Sequence, residues 1–74
     1  MFTPTYDTTK NALVNGEYRL KAWLTVLDKL NVDYDITING DYLHLSVTNK
    51  TTEDFSAMII NAIDYEEQVL RYNR

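Results

Sequence analysis

Seventy-four residues with seven Lys and Arg against eleven Asp and Glu, a formal charge of −4 and no cysteine bound this protein narrowly. A chain this short buries only roughly 60% of the surface its unfolded form exposes, so the expectation is a single small α+β domain over residues 1–74 with a thin core. Disulfides and thiolate metal sites are excluded, no basic patch offers to displace counterions from phosphates, and no apolar run approaches the ~20 residues that span a bilayer.

The N-terminal MFTPTYDTTK has neither the basic nor the apolar region of an export signal, which points to a soluble protein of the cytoplasm. In that setting the Asn49-Lys50-Thr51 glycosylation pattern is accidental. Phe2 to Tyr6 reads as a short extended segment, and because Pro4 has no N–H to donate, a strand there would have to lie at a sheet edge.

Leu20, Trp23, Leu24, Leu27 and Leu30 recur at helical spacing and form one apolar stripe. Glu17 precedes Lys21 by four residues, the favourable order for an exposed pair. Leu13 extends the same track backward, which favours a helix starting near Thr8 or Thr9 with Gly16 inside it. A shorter helix capped by Asn15 is the alternative, since Asn-Gly commonly marks a break.

Between Val32 and Val47, Asn39-Gly40 separates two alternating runs and predicts a β-hairpin closed by a type I′ turn. That turn sets Ile38 opposite Asp41, Ile36 opposite Leu43, Tyr34 opposite Leu45 and Val32 opposite Val47, with the apolar side chains on one face. Asp33, Asp35 and Thr37 then share the other face with Tyr42, His44 and Ser46, and His44 stands across from Asp35.

Thr51-Thr52-Glu53-Asp54 has the form of a helix start, a threonine cap followed by acids at the positive end of the helix dipole. The stripe Phe55, Met58, Ile59, Ala62, Ile63, Val69 and Leu70 carries the second helix to about Tyr72. Asn61, Asp64, Glu67 and Arg71 lie on its opposite, solvated side. The resulting order is helix, strand, strand, helix, with both helices packed on the apolar face of a small antiparallel sheet. Its edges call for a third strand from residues 2–6 or for pairing with another chain.

Written out, Ser46, His44 and Asp35 form a Ser-His-Asp set, but a flat hairpin face supplies neither an oxyanion hole nor a pocket that excludes water. A minimal hydrolase centred on His44 is therefore the weakest reading, and no catalytic residue is assigned. Asp33, Asp35, Asp41 and His44 match no dedicated metal loop, and with Gly16 and Gly40 the only glycines there is no phosphate loop. No metal or cofactor is expected.

Six tyrosines and a tryptophan favour binding, because Tyr offers large contact area at small entropic cost. Trp23, Tyr34 and Phe55 are assigned to the core, Tyr18, Tyr65 and Tyr72 to helix margins, and Tyr42 to the acidic face. The leading expectation is a non-enzymatic protein–protein interaction module with partner-binding residues Asp33, Asp35, Asp41, Tyr42, His44, Asp64 and Glu67. Its partner would be another protein with a basic surface. In size and charge the chain is similar to the broad class of small phage-encoded inhibitors that block nucleic-acid-binding host proteins. A homodimer is the alternative, suggested by the thin core and open sheet edges.

Overall fold

The computed structural model describes residues 3–72 as an α+β fold. In chain order the elements are β1 (Thr5–Thr9), α1 (Ala12–Asn15), α2 (Tyr18–Lys29), β2 (Tyr34–Asn39), β3 (Tyr42–Val47) and α3 (Glu53–Tyr72). The three strands form an antiparallel sheet in the order β1-β3-β2, so the last strand in sequence is central. Cα extents of 32 × 32 × 16 Å fit two layers, a sheet with helices on one face.

The third strand exists, but at Thr5–Thr9 instead of 2–6, where Phe2 lies outside the described residues. Pro4 sits just ahead of it and serves only as an acceptor, its carbonyl receiving the Val47 N–H at 3.1 Å. That is the one ladder role a proline can fill. Because Thr8 and Thr9 belong to this strand, the first helix does not begin there. Gly16 adopts the left-handed conformation and caps the single turn of α1, and α2 starts afresh at Tyr18. Asn-Gly is a break, as in the shorter alternative, but Asn15 ends α1 and Glu17, not Asn15, stands at the N-cap of α2.

At its other end α2 stops in a Schellman motif. Asn31 takes a positive φ of 55°, the Val32 N–H bonds the Leu27 carbonyl at 2.9 Å, and the Asn31 N–H bonds that of Asp28 at 3.2 Å. Val32 and Leu27 are both buried, supplying the apolar contact that accompanies this cap. This fixes where β2 can begin. Val32 is tied to the helix, so Tyr34 takes its place opposite Val47, and the register becomes Ile36 with Leu45, Ile38 with Leu43 and Asn39 with Tyr42.

The hairpin is therefore slipped by two residues from the sequence expectation. Its two-residue loop is Gly40-Asp41, and Gly40 alone has positive φ, the pattern of a type II′ turn instead of I′. A slip of two leaves every side chain on its expected face. Leu43, Leu45 and Val47 of β3 are fully buried against Trp23, Leu20, Leu27, Ile59 and Ile63.

The helix layer does not cover the whole apolar face. Ile36 and Ile38 of β2 remain 38% and 52% exposed, against the expectation that both helices would shield the hairpin. The helices favour the β1 side instead. Tyr6 stacks on Trp23 with centroids 5.7 Å apart, and the Glu17 carboxylate accepts hydrogen bonds from the Tyr6 hydroxyl at 2.8 Å and from Thr8 at 3.1 Å. Glu17 thereby turns toward β1 and forms no pair with Lys21. The Trp23 indole N–H is buried without a partner among the described residues.

Thr52 caps α3, its hydroxyl accepting the Phe55 N–H at 3.1 Å, and the helix runs to Tyr72 as expected. Of the predicted stripe only Ile59 and Ile63 are fully buried, and Met58 points to solvent. On α2, Ala22 and Val26 are buried beside the stripe, because this helix packs on α3 as well as on the sheet; Val26 borders Ala62 of α3.

Two outcomes follow. Leu45→Ala is expected to destabilise by about 2–5 kcal/mol through transfer and cavity terms, whereas Ile38→Ala is expected to change stability by about 1 kcal/mol or less, both read from urea denaturation. Burial, and then the hydrogen bond to Glu17, push the Tyr6 phenol up to about 12. The folded value lies above the unfolded value of about 10, so this contribution is present below pH ~10 and is lost as pH rises toward ~12. A phenolate absorbance titration should show a late tyrosine that Glu17→Gln brings back toward the ordinary range.

Candidate functional site

The helix-free face of the sheet is built by strand alternation. Thr5, Asp7 and Thr9 of β1, Tyr42, His44 and Ser46 of β3, and Asp35, Thr37 and Asn39 of β2 all point away from the core. None of these nine is Lys or Arg, so the face carries carboxylates, hydroxyls, an amide and one imidazole.

At its centre His44 faces Asp7 on one side and Thr37 on the other. The two neighbours are not equivalent. The Val47 N–H reaches Pro4 and the Lys10 N–H reaches Asp41, so odd-numbered residues of β3 make the bonds to β1 and Asp7–His44 is a non-hydrogen-bonded pair. Side chains come closer in such pairs. His44 Nδ1 duly pairs with the Asp7 carboxylate, which also accepts a hydrogen bond from the Tyr42 hydroxyl. The hydrogen bonds from His44 and then Tyr42 hold the Asp7 carboxyl below the usual carboxylate range. The same Asp7 bond raises the Tyr42 phenol.

The predicted site residues divide into separate groups. Tyr42, His44 and Asp35 do share the outer face, but Asp35 stands opposite Ser46, so the predicted His44–Asp35 pairing gives way to His44–Asp7. Among the described residues no hydrogen bond or ion pair joins His44 to Ser46 or to Asp35, and the Ser-His-Asp set is not assembled. Asp33 precedes β2, with its N–H on the Asn49 side-chain oxygen and its carbonyl on the Thr48 N–H. Asp28, Asn31, Asp33, Asp35 and Thr48 line a polar depression at the corner between α2 and β2. Asp41 is the exposed second residue of the turn, 3.5 Å from Lys10 Nζ.

Asp64 and Glu67 lie on α3, in the helix layer and away from the sheet's outer face. Both accept from Arg19 of α2, Glu67 at 2.9 Å, and Glu67 also accepts from Arg71 at 2.9 Å, as its i,i+4 spacing implied. Burial would raise the Glu67 carboxyl, but the hydrogen bonds from the two arginines outweigh it and hold the group low. These two acids fasten α3 to α2 and do not form part of a surface with Tyr42. Tyr18 packs near the same point, with the Arg71 guanidinium 5.5 Å from its ring centroid.

Asp7 is the residue that sequence reasoning missed. It falls between the extended segment expected at residues 2–6 and the helix start expected near Thr8 or Thr9, and only the β1–β3 pairing brings it to His44. Its alternation with Tyr6 and Thr8 was the signal present.

Among the described residues no three carboxylates or imidazoles converge as metal ligands do, and no helix is long and apolar enough to cross a membrane. Comparison with known proteins finds no matching family model, no matching curated protein and no matching solved structure. The geometry of the outer face is therefore the basis of the functional reading.

The Asp7 cluster has a pH signature. Because the folded value is lowered, its contribution is present above the unfolded value of about 3.9 and is lost as pH falls through the folded value. Wild type is expected to exceed Asp7→Asn in stability at neutral pH, with the difference closing below pH ~4 in urea denaturation; a difference undiminished in acid contradicts the pairing.

Proposed function

We propose that this protein is a non-enzymatic interaction module whose outer sheet face docks on a basic surface of another protein, as a small acidic inhibitor covering a nucleic-acid-binding surface would. The observation that carries this reading is a bare β-sheet face holding Asp7, Asp35, Tyr42 and His44 without a single Lys or Arg. Antiparallel sheets commonly leave one face in water, but here that face combines an aromatic anchor with a carboxylate, that of Asp7, held in place by neighbours. The Asp7 bonds to His44 and Tyr42 restrain all three side chains before any partner arrives, which lowers the entropy lost on docking. Asp33 and Asp41 extend the negative field at two ends of the hairpin, and Asp41 is only loosely engaged by Lys10.

The test uses the full chain as bait in a lysate of its source cells, followed by affinity measurements on the purified captured protein. Affinity is expected to fall as salt rises, and the double variant Asp7→Asn, Asp35→Asn is expected to weaken binding by about tenfold and flatten the salt dependence. Tyr42→Ala should weaken it without changing the salt slope. Binding that ignores ionic strength and survives these changes contradicts the proposal.

A further inference from the structure

We infer that the open edge of β2 pairs with the same edge of a second copy of this chain, antiparallel about a twofold axis through Ile36, joining two three-stranded sheets into one. This inference is independent of the outer-face reading, since it rests on the edge and the helix side of β2.

The direction of the backbone groups follows from the ladder. The Thr48 N–H bonds the Asp33 carbonyl at 2.9 Å, so odd-numbered residues of β2 face β3. In an antiparallel ladder the alternate residues face the other way. The N–H and C=O groups of Tyr34, Ile36 and Ile38 therefore point out of the sheet at its free edge, because β2 is terminal in the strand order. The side chains of these same three residues lie on the helix side, where Ile36 and Ile38 stay substantially exposed.

Proteins blunt such edges with proline, lysine, bulges or a covering element. β2 reads YDITIN with an unbroken register, so it has no proline, no basic residue and no bulge. The other edge is different. β1 is flanked by Pro4 and Lys10, and its inward residues Tyr6 and Thr8 are engaged by Trp23 and Glu17.

What selects a second copy is self-complementarity. With the axis at Ile36, that residue meets itself, Tyr34 meets the partner's Ile38 and Asp35 meets the partner's Thr37. All three outward-facing residues then lie in hydrogen-bonded pairs, apolar side chains face apolar ones, and no carboxylate opposes another. Moving the axis to Asp35 would set two carboxylates against each other. Moving it to Thr37 would leave Tyr34 against the partner's Gly40, without a side chain to pack on. The even offset keeps both helix layers on one side of the joined sheet, so the isoleucines of the two copies cover one another. The contact is isologous and closed, as a twofold dimer requires.

Sedimentation equilibrium of the full chain over about 1 μM to about 1 mM, with residue-resolved amide exchange across the same range, tests this. The expected result is a mass rising from 8.7 kDa toward twice that value, with the Tyr34, Ile36 and Ile38 amides gaining protection as concentration increases. I36K, which sets two ammonium groups face to face at the axis, should weaken association by about tenfold or more while its circular dichroism stays native. D7N, on the outer face, should leave association unchanged. The exchange measurement on wild type does not depend on any variant folding. Open-chain exchange of the three amides at the highest concentration, a dimer that I36K leaves intact, or protection gained only on adding a different protein would overturn the inference.

Discussion

β3 is the constraint on which the rest of the molecule depends. It has a neighbour on each edge, and Leu43, Leu45 and Val47 fill the core below it. A strand satisfied in this way has no freedom of register, because moving by one residue would exchange three buried aliphatics for Tyr42, His44 and Ser46. Each other element is positioned relative to it. β1 is fixed by bonds from Val47 to Pro4 and from Lys10 to Asp41, and β2 by the Thr48–Asp33 bond and the Gly40-Asp41 turn. The helices settle on the face that β3 makes apolar.

That constraint also distributes chemistry between two sides. On the core side, charge is used for fastening: Arg19 joins Asp64 and Glu67, Lys29 reaches Glu66 at 3.6 Å, and Glu17 takes up the hydroxyls of Tyr6 and Thr8. On the outer side, alternation brings forward the acids, the hydroxyls and the imidazole, while most basic residues stay with the helices and loops. A modest net charge thus becomes a one-sided field, which influences association more than fold.

The sheet faces and the second helix were legible in the sequence because each depends on a period. Alternation by two survives a slip of two, so inward and outward residues of the hairpin were readable even though Asn39-Gly40 suggested the wrong turn. Capping at Thr52 and the apolar track through Ile59 and Ile63 likewise follow from local chemistry. What was not legible was set by tertiary partners. The exact register depended on Val32 being held by the Schellman motif of α2, a cap made with Asn31 where glycine is the usual signal. Thr8 and Thr9 lack the apolar alternation to compete with the helical track running back to Leu13, and Asp7, between that track and the extended segment at residues 2–6, was lost. Asp64 and Glu67 looked like free surface because nothing in their own helix announces Arg19.

The pairing of Asp7 with His44 is where register, turn type and the candidate surface meet. In a non-hydrogen-bonded antiparallel pair the two α-protons point at each other across the strands, and nuclear Overhauser spectroscopy reads that proximity directly. A strong α-proton cross-peak between Asp7 and His44 is the result this account requires. A cross-peak joining the His44 α-proton to a β2 residue such as Asp35 in its place would contradict the central position of β3 in this register, and with it both the outer-face cluster and the open edge of β2.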